Sequence, residues 1–266
     1  MVNRFNVICV YICLFLSAEL TAQEIQPVNI YVDDSYPPYT YVEDGKLEGI
    51  YVDLVTLAAK ALSNTYDVHL IAAPWKRALM EIEAGRVFAI LAPYQRYQER
   101  PFIWPYSQAL LTEHVVAYCH NDVNLNDILA SETTSVDQPL HIGVNAGYIL
   151  FNDAINQKIA SGQIQVIENR STLANIHKLH SRRVDCYAND DLAIKWHFNQ
   201  LKYNKALTFN HLSKVLTISS ETAHIGYTSV RTEAYPFKAN FIERMDEALA
   251  DIILSPEYDA IISRYF

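Results

Sequence analysis

Residues 74–92, PWKRALMEIEAGRVFAILA, contain the two patterns that decide the fold class of this chain. Their first half carries an apolar stripe at helical spacing, formed by Trp75, Ala78, Leu79 and Ile82. Gly85 then stands where helices commonly end, and residues 87–92 form a continuous apolar run. Such a run is expected of a strand that is covered on both faces of its sheet. The stretch therefore predicts a helix followed by a buried strand.

The same succession returns in the second half of the chain, at residues 171–188, STLANIHKLHSRRVDCYA. Ser171 is a favourable helix N-cap. An apolar stripe follows at helical spacing, formed by Leu173, Ile176 and Leu179. A polar turn and a predicted strand at residues 184–188 come next. Two similar halves, each offering the carboxyl end of a strand, predict a ligand site between them.

The rest of the chain continues this alternation of strands and helices, which is the pattern of an α/β fold. Further strands are predicted at residues 28–32, 66–70 and 142–144, and a further helix at residues 54–62. Asp190 opens another helical stretch, and Ser255, Pro256 and Glu257 together form a typical helix start. We therefore predict an α/β fold along the whole mature chain.

Residues 1–22 have the layout of a secretory signal. Arg4 provides a positive start, residues 7–16 are uninterruptedly apolar, and small residues suited to cleavage end at Ala22. The apolar run is too short to remain in the membrane as an anchor. We therefore predict an exported protein whose mature chain begins near Gln23 and functions in the periplasm.

The net charge limits the classes of binding partner, and the cysteine content limits the disulfides that the chain can form. The sequence has 266 residues and a formal net charge of −9. This charge argues against nucleic acid and anionic membrane surfaces as main partners. Beyond the predicted signal only Cys119 and Cys186 remain. In an oxidising compartment they could pair, but a disulfide and two buried free thiols are both compatible with the sequence.

Six segments carry a resemblance: DDSYPPYTY (33–41), GIYVDL (49–54), PWKRAL (74–79), ER (99–100), WPYS (104–107) and the final stretch from PEY (256–258) to RYF (264–266). In this order and at this spacing they resemble the amino-acid-type periplasmic solute-binding proteins, family 3 of the bacterial extracellular binding proteins. The resemblance covers residues 27–266. It implies a two-lobed fold of the type II periplasmic-binding-protein kind, with two hinge strands joining the lobes and the ligand in the cleft.

The resemblance also implies where the lobes divide. The first lobe is expected to comprise residues 23–117 and 224–266, and the second lobe residues 118–223. The two crossings, which would act as hinges, are then expected near residues 114–119 and 222–227.

Five residues match positions that hold the ligand in this family. Arg100 matches the arginine that grips the ligand's carboxylate with its planar fork, although a solvated surface arginine is the alternative. Asp190 matches the acid that pairs with the ligand's ammonium, but aspartate is also a common helix N-cap. Tyr36 and Trp75 match the aromatic walls of the cleft, with core packing as the alternative for Trp75. Asp33 has a counterpart near the site, or it only orders the adjoining loop.

Three amide residues, Gln95, Asn145 and Asn189, complete the predicted ligand-binding set. The segments around them depart from the family. Where the family presents an N–H and a hydroxyl group before the arginine, this chain has Pro93, which has no N–H to donate. In the second lobe, bulky Tyr148 and Ile149 stand where the family has small residues, and we expect them to narrow or reshape the cleft. The identity of the ligand therefore stays open.

The leading hypothesis is a monomeric periplasmic binding protein that is not an enzyme. It would deliver a small polar, amino-acid-like ligand to a membrane ABC transporter permease by hinge closure, without any cofactor. No nucleophile elbow, P-loop, dinucleotide fingerprint or zinc-protease motif is present. His177 and His180 stand three residues apart, but without a clear third ligand they do not predict a metal site.

Two alternatives remain open from the sequence. One is an enzyme on the same fold, such as a cyclohexadienyl-acid dehydratase, for which Asp190 would be the best candidate acid. The other is a stand-alone periplasmic sensor that passes its signal to a partner protein.

Overall fold

The computed structural model describes residues 24–132, 138–204 and 207–265, so the predicted export signal at residues 1–22 lies outside the described residues. The strands are β1 (Gln26–Asp33), β2 (Ser35–Tyr36), β3 (Thr40–Glu43), β4 (Lys46–Glu48), β5 (Tyr66–Ala73), β6 (Ala89–Tyr94), β7 (Ile103–Tyr106), β8 (Leu111–His120), β9 (Leu140–Asn145), β10 (Ile164–Asn169), β11 (Cys186–Asp190) and β12 (Leu212–Thr228). The helices are α1 (Ile50–Leu62), α2 (Trp75–Glu83), α3 (Leu125–Ala130), α4 (Asp153–Ala160), α5 (Thr172–His180), α6 (Asp191–Tyr203), α7 (Lys238–Ile253) and α8 (Pro256–Ser263). The predicted α/β alternation is confirmed.

One large sheet runs through the molecule in the order β10-β9-β11-β8-β12-β6-β1-β5, and β7 pairs with β12. Strand β1 lies parallel to β5 and β6, and β9 lies parallel to β10 and β11. Between these parallel units the long strands β8 and β12 pair antiparallel with each other and with their outer neighbours. We call the part with β1, β5, β6, α1, α2, α7 and α8 the first lobe, and the part with β9, β10, β11, α4, α5 and α6 the second lobe.

Each lobe buries apolar side chains of its own. The cluster of the first lobe includes Ile30, Leu54, Leu91, Tyr227 and Phe241. The second lobe has one cluster on each face of its sheet, with Ile142, Ile155 and Cys186 in one and Ile176, Leu179, Tyr187 and Phe198 in the other. Because burial of apolar area is the main stabilising term, each lobe has a stabilising core of its own.

A glycine fixes the loop that brings two tyrosines towards the junction of the lobes. Gly49 precedes α1 with φ +130, and a Cβ atom built on it would lie 2.2 Å from the carbonyl oxygen of Tyr39. A side chain at this position would be strained in its backbone conformation and would also collide with the loop. Glycine therefore allows the segment that carries Tyr36 and Tyr39 to pack directly against α1.

Cys119 and Cys186 form a disulfide, which settles the question that the sequence left open. Cys119 lies in β8 and Cys186 in β11, directly opposite each other in the antiparallel register. Their Cα atoms are 4.0 Å apart, and 67 positions of sequence separate them. The bond therefore joins a crossing strand to the interior of the second lobe.

Candidate functional site

A small cavity lies where the two lobes meet. It is lined by Asp33, Tyr36, Thr40, Trp75, Leu91, Ala92, Pro93, Tyr94, Arg96 and Arg100 from the first lobe and its connections, and by Tyr148, Ile149 and Leu150 from beyond β9. Its volume is about 40 Å³, enough for a few water molecules at about 10–15 Å³ each. The protein's own side chains therefore fill most of the space around Arg100, whereas a larger groove of about 1060 Å³ also lies between the lobes, with Tyr39 and Asp190 among its lining residues.

Arg100 lies at this cavity, and only 6% of it is exposed to solvent. Its guanidinium group stacks 5.6 Å from the ring centre of Trp75. Its Nη2 donates a hydrogen bond of 2.5 Å to the carbonyl oxygen of Gly147 in the second lobe. Burial lowers the pKa of Arg100 to about 10, so the side chain stays charged at neutral pH. The alternative of a solvated surface arginine is wrong.

Tyr148 reaches into the cavity from the second lobe, as its bulk predicted. Its ring meets Tyr36 edge-on at 5.6 Å between ring centres and Trp75 edge-on at 6.2 Å. Its hydroxyl group donates to a carboxylate oxygen of Asp33 at 3.1 Å. Asp33 is buried, and the loss of water around it raises the pKa of its carboxyl group to about 7.

Asp190 is a helix cap and lines a different depression from Arg100. One of its oxygens accepts from the backbone N–H of Ala193 at 2.9 Å, which makes it the N-cap of α6. The same oxygen accepts from the hydroxyl of Tyr39 at 2.9 Å, and the other accepts from the N–H of His114 at 3.0 Å. Asp190 lines a separate groove together with Tyr39 and His114, so the structure does not bring it to the cavity of Arg100.

None of the three predicted amide residues lines the cavity. Asn145 and Asn189 are buried in a polar network of the second lobe, where Asn145 donates to the hydroxyl of Thr172 at 3.1 Å and accepts from Tyr187 at 2.9 Å. Asn189 donates to the same tyrosine hydroxyl at 2.6 Å. Gln95 lines a different surface groove. The two buried amides, Asn145 and Asn189, therefore support the walls of the second lobe.

Glu113 on β8 is a buried carboxyl group that the sequence reasoning did not single out. Its side chain accepts hydrogen bonds from the hydroxyl groups of Tyr36, Tyr51 and Tyr94. Burial, reinforced by the negative charge of Asp190, raises the pKa of Glu113 to about 8, against the lowering effect of these hydrogen bonds. Glu113 stands between the exposed Thr112 and His114 in β8, so no local sequence pattern marks its burial.

Glu113→Gln should flatten the dependence of stability on pH. A carboxyl group whose pKa rises on folding from 4.5 to about 8 binds more protons in the folded than in the unfolded state across that interval. The free energy of unfolding therefore falls as pH rises through it, by about 2 kcal/mol between about pH 6.5 and about pH 8.5. The raised pKa of Asp33 acts in the same direction. Urea unfolding at both pH values measures the effect.

The control for this measurement is Glu99→Gln, which neutralises an exposed carboxylate and should keep the slope of the wild-type protein. The pH interval also avoids His197, whose pKa burial lowers from 6.5 to about 4 and whose opposite contribution is nearly complete by about pH 6.5. Equal slopes for Glu113→Gln and the wild-type protein would show that Glu113 is not protonated in the folded state at these pH values.

Further polar contacts tie the two lobes together around the cavity. Lys76 on α2 pairs with Glu168 on β10 at 2.5 Å. Arg96 makes two hydrogen bonds of 3.1 and 2.9 Å to the carboxylate of Glu221 on β12, and two more of 3.2 and 3.1 Å to the carbonyl oxygen of Ile149. Exposed ion pairs contribute little individually to stability. The half-buried Arg96, however, joins its own segment to Ile149 and to Glu221 on β12.

Two properties of the described residues concern other kinds of site. No group of three or more histidine, cysteine, aspartate or glutamate residues among them is arranged to hold a metal ion. None of the helices within residues 24–132, 138–204 and 207–265 combines the length and apolar character needed to cross a membrane.

The sequence was compared with protein families and with curated proteins. The profile described as "Bacterial extracellular solute-binding proteins, family 3" matches residues 28–266. No curated protein matches the sequence.

Solved structures with the same fold come from binding proteins and a sensor. A histidine kinase sensor domain with similarity to periplasmic binding proteins has a TM-score of 0.71 at 14% identity, over 91% of this chain and 96% of its own. An ancestral arginine-binding protein bound to arginine has a TM-score of 0.69 at 16% identity, over 90% and 98%. An ancestral amino-acid-binding protein, a precursor of cyclohexadienyl dehydratase, has a TM-score of 0.64 at 13% identity, over 90% and 95%. The predicted two-lobed type II fold is thereby confirmed.

Proposed function

The chain belongs to family 3 of the bacterial extracellular solute-binding proteins, and on this premise we propose that it captures a small polar, amino-acid-like ligand between its lobes and presents it to a membrane ABC transporter. The observation that carries the proposal is that a buried arginine and a buried carboxyl group line the same cavity between the lobes. Arg100 and Asp33 both line that cavity, together with Tyr36 and Trp75. A cation and an acid at one small site suit a compound with groups of both signs.

The proposed arrangement assigns a role to each of these residues. Arg100 binds the ligand's carboxylate, because its fork can make parallel hydrogen bonds and its charge persists after burial. The indole N–H of Trp75 is a further donor, since it is buried and has no acceptor within the described residues. Asp33, rather than Asp190, receives the ligand's amino group, because Asp33 shares the cavity with Arg100. Tyr36 and Trp75 cover the apolar part of the ligand.

The proposed motion is a hinge closure about the crossing strands. Ligand bound to Arg100 and Asp33 on the first lobe would recruit the second lobe, and its higher affinity for the closed form would shift the equilibrium. We place the hinges near residues 114–119 and 222–227, and the lobes at residues 23–117 with 224–266 and at 118–223. Export through residues 1–22, a periplasmic location and a monomeric state belong to the same proposal.

A thermal-shift screen tests the binding function directly. The panel consists of proteinogenic amino acids, small peptides, polyamines and aromatic acids. A ligand at 100 times its dissociation constant should add about 2.7 kcal/mol to the free energy of unfolding. We expect at least one compound to stabilise the protein, and calorimetry should then show binding of one molecule per chain. A flat response across the panel would contradict an amino-acid-like ligand.

The enzyme alternative is separated by the fate of the bound compound. The similarity to a precursor of cyclohexadienyl dehydratase and the buried acid Glu113 are the observations that favour it. A binding protein returns its ligand unchanged, so chromatography of the mixture after long incubation should recover the added compound. Conversion of the compound would favour the enzyme. Binding without conversion leaves transport and sensing. Loss of ligand uptake in cells that lack this protein would favour transport, and unchanged uptake would favour sensing.

A further inference from the structure

A short loop of the second lobe occupies the groups that the proposed function assigns to the ligand. The carbonyl oxygen of Gly147 accepts the hydrogen bond of Arg100. Gly147 also packs closely against α2, since a Cβ atom built on it would lie 3.2 Å from Lys76 and 3.3 Å from Leu79. The loop thus supplies Arg100 with an acceptor oxygen, as a ligand's carboxylate would.

The neighbouring residue fills the rest of the site. The ring of Tyr148 lies edge-on against Tyr36 and Trp75, with interplanar angles of 89° and 81°. Its hydroxyl group supplies a hydrogen-bond donor for Oδ2 of Asp33, whose Oδ1 accepts from the N–H of Ser35. The carbonyl oxygen of Gly147 therefore meets the guanidinium group, and the hydroxyl of Tyr148 meets the carboxyl group. The ring of Tyr148 covers the aromatic walls of the cavity.

This loop is held in place on the second lobe. The N–H of Ala146 donates to the carbonyl oxygen of Asn169 at 2.8 Å, and the N–H of Tyr148 donates to that of Asn145 at 3.0 Å. Glu168 accepts from the N–H of Gly147 at 3.1 Å with one oxygen and pairs with Lys76 with the other. The backbone is thus fixed in a turn that directs Tyr148 towards the first lobe.

We infer that Gly147 and Tyr148 occupy the cleft in the place of a ligand and have to be displaced before a ligand can bind; we call these two residues the tethered occupant. Tyr148 is therefore a specificity-determining residue. The part that concerns ligands rests on the proposed function. The inference follows from the identity of the contacts, because the loop and the proposed ligand use the same groups on the first lobe. It also follows from the cavity of about 40 Å³, which leaves no room for an amino acid beside Tyr148.

The tethered occupant has two consequences. The first is that the protein closes without ligand, so that a ligand gains only the difference between its own contacts and those of the loop. The second concerns selection. A compound that displaces the loop must satisfy both Arg100 and Asp33, because a buried polar group without a partner is costly. Compounds that carry both an acceptor and a donor should therefore bind, whereas simple carboxylates and simple amines should not.

Distance measurements on the exported protein without ligand test the inference. Spin labels are attached at Lys60→Cys on α1 and at Gln157→Cys on α4, both exposed positions on different lobes. The native cysteines are paired with each other and do not compete for label. In the labelled protein that keeps Tyr148, we expect a single short distance between the two labels. In the labelled Tyr148→Ala variant, we expect the main distance between the labels to become longer. Tyr203→Ala is the matched control, since Tyr203 is a second-lobe tyrosine that is 86% exposed. It should leave the separation unchanged.

A second, milder variant controls for a folding defect in Tyr148→Ala. Tyr148→Phe keeps the ring and removes only the hydroxyl group that binds Asp33, so its longer-separation population should lie between those of the wild-type protein and Tyr148→Ala. Equal separations in all four proteins would overturn the inference, and so would a long separation in the wild-type protein.

The result is independent of whether a ligand is found, because no ligand is added. A positive ligand screen with equal label separations would refute the tethered occupant and leave the proposed function standing. A longer separation in Tyr148→Ala with a flat screen would support the tethered occupant and count against the proposed amino-acid-like ligand.

Discussion

Arg100→Ala should weaken binding of the ligand identified by the thermal-shift screen by about 2–5 kcal/mol, a loss of roughly 30-fold to several thousand-fold in affinity. The reason is that the ligand's carboxylate would remain desolvated between the lobes without its charged partner. Arg100 is only 6% exposed, so water cannot readily replace it. Isothermal titration calorimetry of the wild-type protein and the variant measures the difference.

The control for this prediction is Arg77→Ala, which removes an exposed arginine on α2 of the same lobe. Its affinity should stay within experimental error of the wild-type value. Arg96 is unsuitable as a control, because it ties Glu221 to the carbonyl of Ile149 across the cleft. Equal losses at Arg77 and Arg100, or no loss at Arg100, would show that the carboxylate is bound elsewhere.

Removal of the disulfide by Cys119→Ala with Cys186→Ala should lower the free energy of unfolding by about 4 kcal/mol. The bond closes a loop over a sequence separation of 67, and its loss returns conformational freedom to the unfolded chain. Both sulfur atoms are buried in the second lobe, so a smaller contribution comes from lost packing. Urea unfolding followed by circular dichroism provides the measurement.

Reduction of the wild-type protein is the matched experiment. Dithiothreitol under unfolding conditions should move the wild-type midpoint towards that of the double variant, and it should leave the variant unaffected. A double variant that unfolds at the wild-type urea concentration would contradict a stabilising disulfide.

The fold followed from local patterns because its elements have strong periodicity. The apolar stripe beginning at Trp75 became α2, and the stripe behind Ser171 became α5 with the predicted cap. Asp190 likewise caps α6, as the sequence allowed. Local features of this kind depend on neighbours a few residues apart, which a single sequence displays. The disulfide could not be predicted, since it depends on the pairing of β8 with β11.

The site was predictable only in part, because it depends on how the lobes meet. Asp33, Tyr36, Trp75 and Arg100 share one cavity, and the bulk of Tyr148 correctly indicated a narrowed cleft. The positions of Asp190, Asn145, Asn189 and Gln95 in the family pattern did not reveal that each lies outside this cavity. The tyrosine environment of Glu113 brings together residues that are distant in sequence. No local spacing indicates such an environment.

The position of Trp75 gives the protein an optical signal of its own. Only 9% of this residue is exposed, and its ring lies against the Arg100 guanidinium of the same lobe and against Tyr148 of the second lobe. The contact with Tyr148 exists only while the lobes are close together. An indole that passes from such surroundings into water emits at longer wavelength. Trp104 and Trp196 are the other tryptophans of the sequence. In a variant in which both are replaced by phenylalanine, the wavelength of maximum fluorescence of Trp75 would therefore report opening of the cleft in real time, without any attached dye.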